Sequence, residues 1–364
     1  MVAAQQTTNG SSDPSNFKAR CFCATLMKKG TQSVRSDDLQ EFTPLIEKAS
    51  VAWVDYIAED VKTDAISAAT CLGFSETLVA SLLQNARTGY EDYENEMGLL
   101  LPAIHVKGFD ATINPLLILI KKDLILTIHT REIRRFVNIR RYAETFFKKL
   151  PKDMPQNDRL TSVLIRIIDE NNSKNFEYLQ EIEENGDALS KDLSNSKMDR
   201  IPLGERIYQM KHALIVYLGG LWATSEALSS LRYGDAELMS DDPRLLDKIN
   251  GLLNEVHGQI GLAEHLSEVL ASGLEVLQSI YNNQLQIINN RLSFLMGILT
   301  IIGTALLVPN TIATVMSQTN IFAFTPADMG WYLALLVGST VVATIFSWWA
   351  VKKLGFLPKH PDEE

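Results

Sequence analysis

The chain has 364 residues, a net charge of −10 and 46% apolar residues, enough for a sizeable core and more than one module. The acidic balance argues against a chain held to nucleic acid by its overall charge. Three cysteines, Cys21, Cys23 and Cys71, are too few and too unevenly spaced for a disulfide framework, which suits a reducing compartment.

The opening stretch "MVAAQQTTNGSSDPSNFKAR" is polar and Ser-rich, and reads as a poorly ordered lead-in covering residues 1–40. Within it "CFC" lacks the second cysteine pair that a soft-metal site needs. Next come "SVAWVDYI" (Ser50 to Ile57), "GLLLPAIHV" (Gly98 to Val106) and "PLLILIKKDLILTIHT" (Pro115 to Thr130). These are β-branched and aromatic runs bounded by turn residues, and they read as strands, with a hairpin at Lys121 to Asp123. "SETL", with Ser75 as cap, opens a helix between the first two. Residues 41–157 are therefore expected to form an α/β domain.

From 158 to 240 the periodicity turns helical: "LTSVLIRIIDENNSKNFEYLQEIEENGDALSKDL" reads as one long amphipathic helix and "GERIYQMKHALIVYLGGLWATSEALSSLRY" as a second. A third starts at Asp242-Pro243. Its apolar residues recur at three and four from Leu245 to Tyr281, and no proline interrupts it before Pro309. The spacing predicts a stalk over 241–316 that enters an apolar span without a break.

Leu292 to Ala327 and Met329 to Val351 carry no charged residue or His, and each exceeds the roughly 20 residues needed to cross about 30 Å of hydrocarbon. Two spanning helices are expected, joined by a loop over 317–328, the second span occupying 329–351. Arg291 precedes the first span, Lys352 and Lys353 follow the second, and the loop has no Lys or Arg. Both termini, including a basic tail over 352–364, are therefore expected in the cytosol of a multi-pass plasma-membrane protein, with Lys352 and Lys353 forming an inner basic ring.

Ser293, Thr300, Thr304, Thr311, Thr314 and Gln318 fall on one stripe of the first span. Either they line a wet lumen shared by several copies, or each hydroxyl bonds its own backbone one turn back. The stripe alone leaves both readings open, because close helix contacts also favour Ser, Thr and Gly.

"LTIIGTALLVPNTIATV", followed by a short uncharged loop, a second Trp- and Val-rich span and a Lys-Lys pair, resembles the CorA family of divalent-cation channels. "LILTIHTREIRRF", "LTSVLIRIIDENN", "LWATSEALSSL" and "NNRLSFLMGILT" stand in that family's order. The resemblance implies an α+β cytosolic domain, a long stalk helix and two C-terminal transmembrane helices in a funnel-shaped homo-oligomer, a pentamer, in contact with membrane lipid and metal ions. It also implies transport rather than catalysis, with Mg²⁺ or another divalent cation as substrate and as cytosolic regulator. The family's Gly-Met-Asn triplet is replaced by Gln318-Thr319-Asn320, the expected selectivity entrance, and the following loop offers only Asp328 as a carboxylate. Amides can still hydrogen-bond the waters of a hydrated Mg²⁺, but the electrostatic attraction at the mouth is weaker. The resemblance also places a hydrophobic gate at Met296, Leu299, Leu307 and Val308.

The resemblance further suggests regulatory carboxylates between copies, for which Asp241, Asp242, Asp247 and Glu255 at the stalk start are candidates; ordinary solvated surface is the alternative. The basic stretch "KKDLILTIHTREIRRFVNIRRYAETFFKK" reads as the outer face of a helix balanced by acidic neighbours, not as a nucleic-acid site. His257 and His265 lack zinc-ligand spacing, and no phosphate loop or nucleophile motif is present. Three functions follow: a divalent-cation channel, a relative with altered selectivity such as zinc, or a non-conducting membrane-anchored sensor or scaffold.

Overall fold

Near-continuous apolar runs in the N-terminal part build one mixed sheet with helices on both faces. In the computed structural model, the residues described are 19–28, 30–84, 89–151, 153–194, 200–234, 236–318 and 329–353; for 190, 193, 194, 200, 201, 318 and 329 only the backbone is described. The chain divides into two compact units, Met1–Leu274 and Glu275–Glu364.

In the first unit, strands β1 (Cys21–Met27), β2 (Gly30–Ser36), β3 (Val51–Ala58), β4 (Gly89–Tyr93), β5 (Glu96–Lys107), β6 (Asp110–Lys121) and β7 (Leu124–Thr130) form a seven-stranded sheet of order β2-β1-β3-β7-β6-β5-β4. β3 and β7 pair in parallel and the other pairs are antiparallel. The β6–β7 hairpin turns at Lys122-Asp123, as its sequence indicated. Three strands, β1, β2 and β4, were not read from the sequence. β1 and β2 lie inside the stretch assigned to the lead-in, because "GTQSVRS" is an edge strand whose polar, partly exposed residues carry no apolar run.

After α1 (Thr43–Ile46), helices α2 (Val61–Cys71) and α3 (Glu76–Gln84) cover one sheet face, with Val61, Ala65, Leu78 and Leu82 packed in one core with Ala52, Val54, Leu117 and Leu126. Side chains alternate along a strand, so Trp53, Asp55, Thr127 and His129 fall on the opposite face. There α4 (Arg135–Lys149) packs on β1 and β2, α5 (Gln156–Asn172) on β3 and β7, and α7 (Arg200–Tyr233) on β5 and β6. α7 approaches so closely that a Cβ on Gly220 would lie 2.7 Å from Ile104 Cγ1. This explains the glycine in an otherwise apolar helix.

The long helix expected after residue 158 is two helices, α5 and α6 (Asn175–Ser194). Ser173 Oγ donates to the Glu170 carbonyl at 2.9 Å, and the buried Asn175 accepts at its carbonyl from Tyr217 Oη at 2.7 Å. The local Ser173 bond and the tertiary Tyr217 bond hold the chain in a turn that helical periodicity cannot register.

Helix α8 runs unbroken from Pro243 to Gln318 and contains Pro309, as the sequence indicated. Asp242 caps it, its Oδ1 accepting from the Arg244 N–H at 3.0 Å. Its seam is buried at Leu245, Ile249, Val256 and Ile260 within the first unit, whereas Tyr281 in the second is 54% exposed. Helix α9 (Met329–Lys353) completes the second unit.

Candidate functional site

Among the described residues three helices are long and apolar enough to cross a membrane, but their surroundings differ. The apolar window of the α7 helix is 56% buried, so α7 is a core helix on the sheet; the windows of α8 and α9 are 6% and 17% buried. Met296, Leu299 and Leu307, the expected gate residues, are 63%, 64% and 67% exposed within one chain, and Val308 is half-buried.

The hydroxyls of the first span bond their own backbone one turn back. Thr300 Oγ1 donates to the Met296 carbonyl at 2.8 Å, Thr304 to Thr300, Thr311 to Leu307 at 2.8 Å and Thr314 to Asn310 at 2.7 Å. A hydroxyl that donates backward keeps its lone pairs, so it can still accept a hydrogen bond from water. Thr311 and Thr314 are exposed, and Ser293 is half-buried. Thr304, also expected among the pore-lining residues, accepts a hydrogen bond from Ser347 Oγ of α9 at 2.7 Å. Around this contact Met296, Gly297, Thr300 and Thr304 face Phe346, Ser347, Ala350 and Val351 across a groove. Small side chains at Gly297 and Ser347 let the helices approach, the usual basis of helix association in lipid.

Gln318 ends α8 with its side chain undescribed, and Thr319, Asn320 and Asp328 lie outside the described residues. At the other end of α9, Lys352 Nζ stands 5.8 Å from the Trp348 ring centroid and Lys353 Nζ 4.9 Å from that of Trp349. Such cation–aromatic pairs suit a membrane interface, where one end is apolar and the other wet.

The candidate regulatory carboxylates sit on the first turns of α8 and just before it. Asp241, Asp247 and Glu255 are exposed, and Asp242 is occupied as the helix cap. Among the described residues no three His, Cys, Asp or Glu side chains converge as a metal site. His257 is interhelical, its Nε2 lying 2.8 Å from Ser225 Oγ of α7.

A buried polar network went unread in the sequence. Asp55 is fully buried on β3; Arg140 Nε donates to its Oδ2 at 2.5 Å, Thr127 Oγ1 to its Oδ1 at 2.5 Å, and His129 Nε2 lies 3.1 Å from Oδ1. Trp53 Nε1 donates to Thr127 Oγ1 at 3.1 Å. Burial alone would raise the Asp55 pKa, but the Arg140 guanidinium, His129 and the hydrogen bonds outweigh it and hold the carboxyl well below the usual range. The signal was present: one Asp in "SVAWVDYI" and a His in "LILTIHT" interrupt strands that are otherwise apolar. The basic stretch is likewise corrected. Arg135 and Arg140 point inward from α4 instead of lying on its outer face.

A family model described as a CorA-like Mg²⁺ transporter protein matches residues 48–353. Among curated protein sequences none matches. The complete structure of the CorA magnesium transporter from Methanocaldococcus jannaschii is 18% identical, with a TM-score of 0.65 over 93% of this chain and 99% of that one. Its soluble domain is 19% identical, with a TM-score of 0.56 over 71% of this chain and 96% of that one. The full-length CmaX protein is 17% identical, with a TM-score of 0.63 over 93% of this chain and 98% of that one. At these identities the structural likeness carries the fold.

Proposed function

Because this chain belongs to the CorA-like Mg²⁺ transporter family, a family of divalent-cation transporters, we propose that it forms a homo-oligomeric channel, a ring of five copies, that passes Mg²⁺ or a similar divalent ion into the cytosol. The observation that carries this reading is the largely bare surface of α8: only 6% of its apolar window is buried within the chain, and Tyr281, Leu299 and Leu307 are each more than half exposed. One copy supplies a single span bearing exposed hydroxyls at Thr311 and Thr314, and a lumen needs several such spans around an axis.

In this reading Ser293, Thr300, Thr311 and Thr314 offer lone pairs to water around the ion, and Met296, Leu299, Leu307 and Val308 close the pathway by dewetting. Gln318, Thr319 and Asn320 form the entrance, where amides contact a hydrated ion. Thr304 holds the two spans together. Asp241, Asp242, Asp247 and Glu255 repel their counterparts across copies, and cytosolic Mg²⁺ relieves that repulsion most in the closed ring. Protease sensitivity of the cytosolic part should fall as Mg²⁺ rises; no change up to millimolar Mg²⁺ would return these carboxylates to plain surface.

Both termini face the cytosol in a plasma membrane, because Arg291, Lys352 and Lys353 flank the inner ends of the spans. Thr325→Cys should then react with an impermeant thiol reagent outside intact cells, and labelling only after lysis would refute the topology. The deciding experiment is ion flux in liposomes. Mg²⁺ uptake supports the channel, uptake confined to zinc or another metal supports altered selectivity, and no flux by an intact oligomer supports a sensor or scaffold.

A further inference from the structure

A groove of about 860 Å³ opens on the first unit between β5, β6, the start of α4 and the start of α6. Its size falls in the range of small-molecule sites. In a chain of net charge −10 its lining is inverted: Lys107, Arg134, Arg135 and Lys174 face a single lining carboxylate, Glu132.

These cations are not equivalent. Lys174 is paired with Glu177 at 3.6 Å. Lys107, Arg134 and Arg135 form no ion pair with any described carboxylate. Glu181, on α6, is engaged by the Gly108 N–H at 2.7 Å.

Arg135 is the informative member. It is only 7% exposed, donates to the Ile104 carbonyl and, at 3.4 Å, to Asn175 Oδ1, and stands 5.3 Å from the centroid of the Tyr178 ring. Its partners are all neutral. A buried guanidinium without a direct ion pair is costly; the more distant Glu170 carboxylate offsets only part of that cost, and burial pulls the Arg135 pKa below the ordinary value. The first turn of α4 also lines the groove through Arg134, Arg135, Val137 and Asn138, and the N-cap residue Arg134 makes no side-chain capping bond. The Arg134 and Val137 N–H groups donate to backbone carbonyls, so what this turn offers an anion is chiefly the positive end of the helix dipole.

We propose that this groove binds a polyvalent phosphorylated anion, held by Lys107, Arg134 and Arg135 against the N-terminal turn of α4. A phosphate ester or polyphosphate fits better than a monovalent ion, because three unpaired cations and the amides of Asn114 and Asn138 converge on one space. Tyr178 is already occupied by Arg135 on its face and by His105 Nδ1 at its hydroxyl, 3.0 Å away, so recognition is by the phosphates and not by base stacking. The proposal rests on this groove and is independent of whether the spans conduct.

The test uses the full-length chain in detergent and magnesium-free buffer with EDTA, so that the probe cannot act by removing Mg²⁺. Inorganic tripolyphosphate, titrated calorimetrically, should bind saturably at one site per chain. Lys107→Ala and Arg134→Ala should each weaken it about fivefold or more, as expected for losing a charge-assisted contact. Arg134→Glu should abolish it. Arg135 is left intact because it also ties α4 to β5 and α6. Lys248→Ala, on the exposed face of α8, should leave the affinity unchanged. Equal weakening by Lys248→Ala, or a signal that never saturates, would mean nonspecific adsorption and overturn the site; so would wild-type affinity in Arg134→Glu. ATP binding no tighter than tripolyphosphate is expected, and much tighter ATP binding would overturn the phosphate-only mode of recognition.

Discussion

Ser347 Oγ donates to Thr304 Oγ1 across 2.7 Å, while Thr304 in turn donates to the Thr300 carbonyl of its own helix. One hydroxyl thus serves both helix and partner helix, and this relay joins the two apolar spans of each chain. In lipid such a bond is worth about 0.6 kcal/mol on average and at most about 1.7, because the separated helices also find partners. A double-mutant cycle of Thr304→Val and Ser347→Ala, followed by thermal unfolding in mild detergent, should return a coupling of that size. Additive effects would show that the two hydroxyls act independently.

The Asp55–Arg140 pair should dominate the acid stability of the first unit. The Asp55 pKa is depressed in the folded chain, so its contribution is fully present above the ordinary carboxylate pKa, about 4, and is lost as pH falls toward the folded value. Asp55→Asn strands a buried guanidinium and should cost about 3–5 kcal/mol at neutral pH. Denaturation of the two proteins should show the gap narrowing below about pH 4. A gap that stays constant with pH would mean that packing, not charge, sets the loss.

Cys21 and Cys23 should be chemically silent in the folded chain. Both are buried, at 0% and 1% exposure, and burial pushes each thiol up to about 12. The thiolate is the reactive form, and it is nearly absent at neutral pH. Cys71 is half-buried and offers the accessible sulfur. A maleimide titration should therefore label one thiol per native chain and all three after denaturation. Rapid native labelling of all three would show that the β1 edge opens readily.

Within the proposed pathway, Thr311→Val and Asn320→Leu should differ in strength. The Thr311 hydroxyl proton already serves the Leu307 carbonyl, so the substitution removes only an acceptor toward water and should lower flux roughly fivefold. Asn320→Leu removes an amide from every copy at the entrance and should abolish flux while the oligomer stays intact on native mass spectrometry. Unchanged divalent uptake by Asn320→Leu would defeat the entrance assignment and leave the fold standing.

Composition and order along the chain determined the parts of this protein that depend on local pattern. Uncharged runs set the two spans, a three-and-four periodicity from Leu245 to Tyr281 with no proline before Pro309 set α8, and β-branched and aromatic runs set β3, β5, β6 and β7. Tertiary structure decided what depends on neighbours distant in sequence. The edge strand β2 is a strand because β1 pairs with it, and the break between α5 and α6 is stabilised by Tyr217, 42 residues beyond Asn175. Whether Thr304 faces water or α9 was open to periodicity, since a stripe fixes a face but not its occupant. The Arg135 groove and the Asp55 network join residues from separate strands and helices. Charge in sequence is a sum, whereas the cost or use of each charge depends on the carboxylate, carbonyl or ring that folding places beside it.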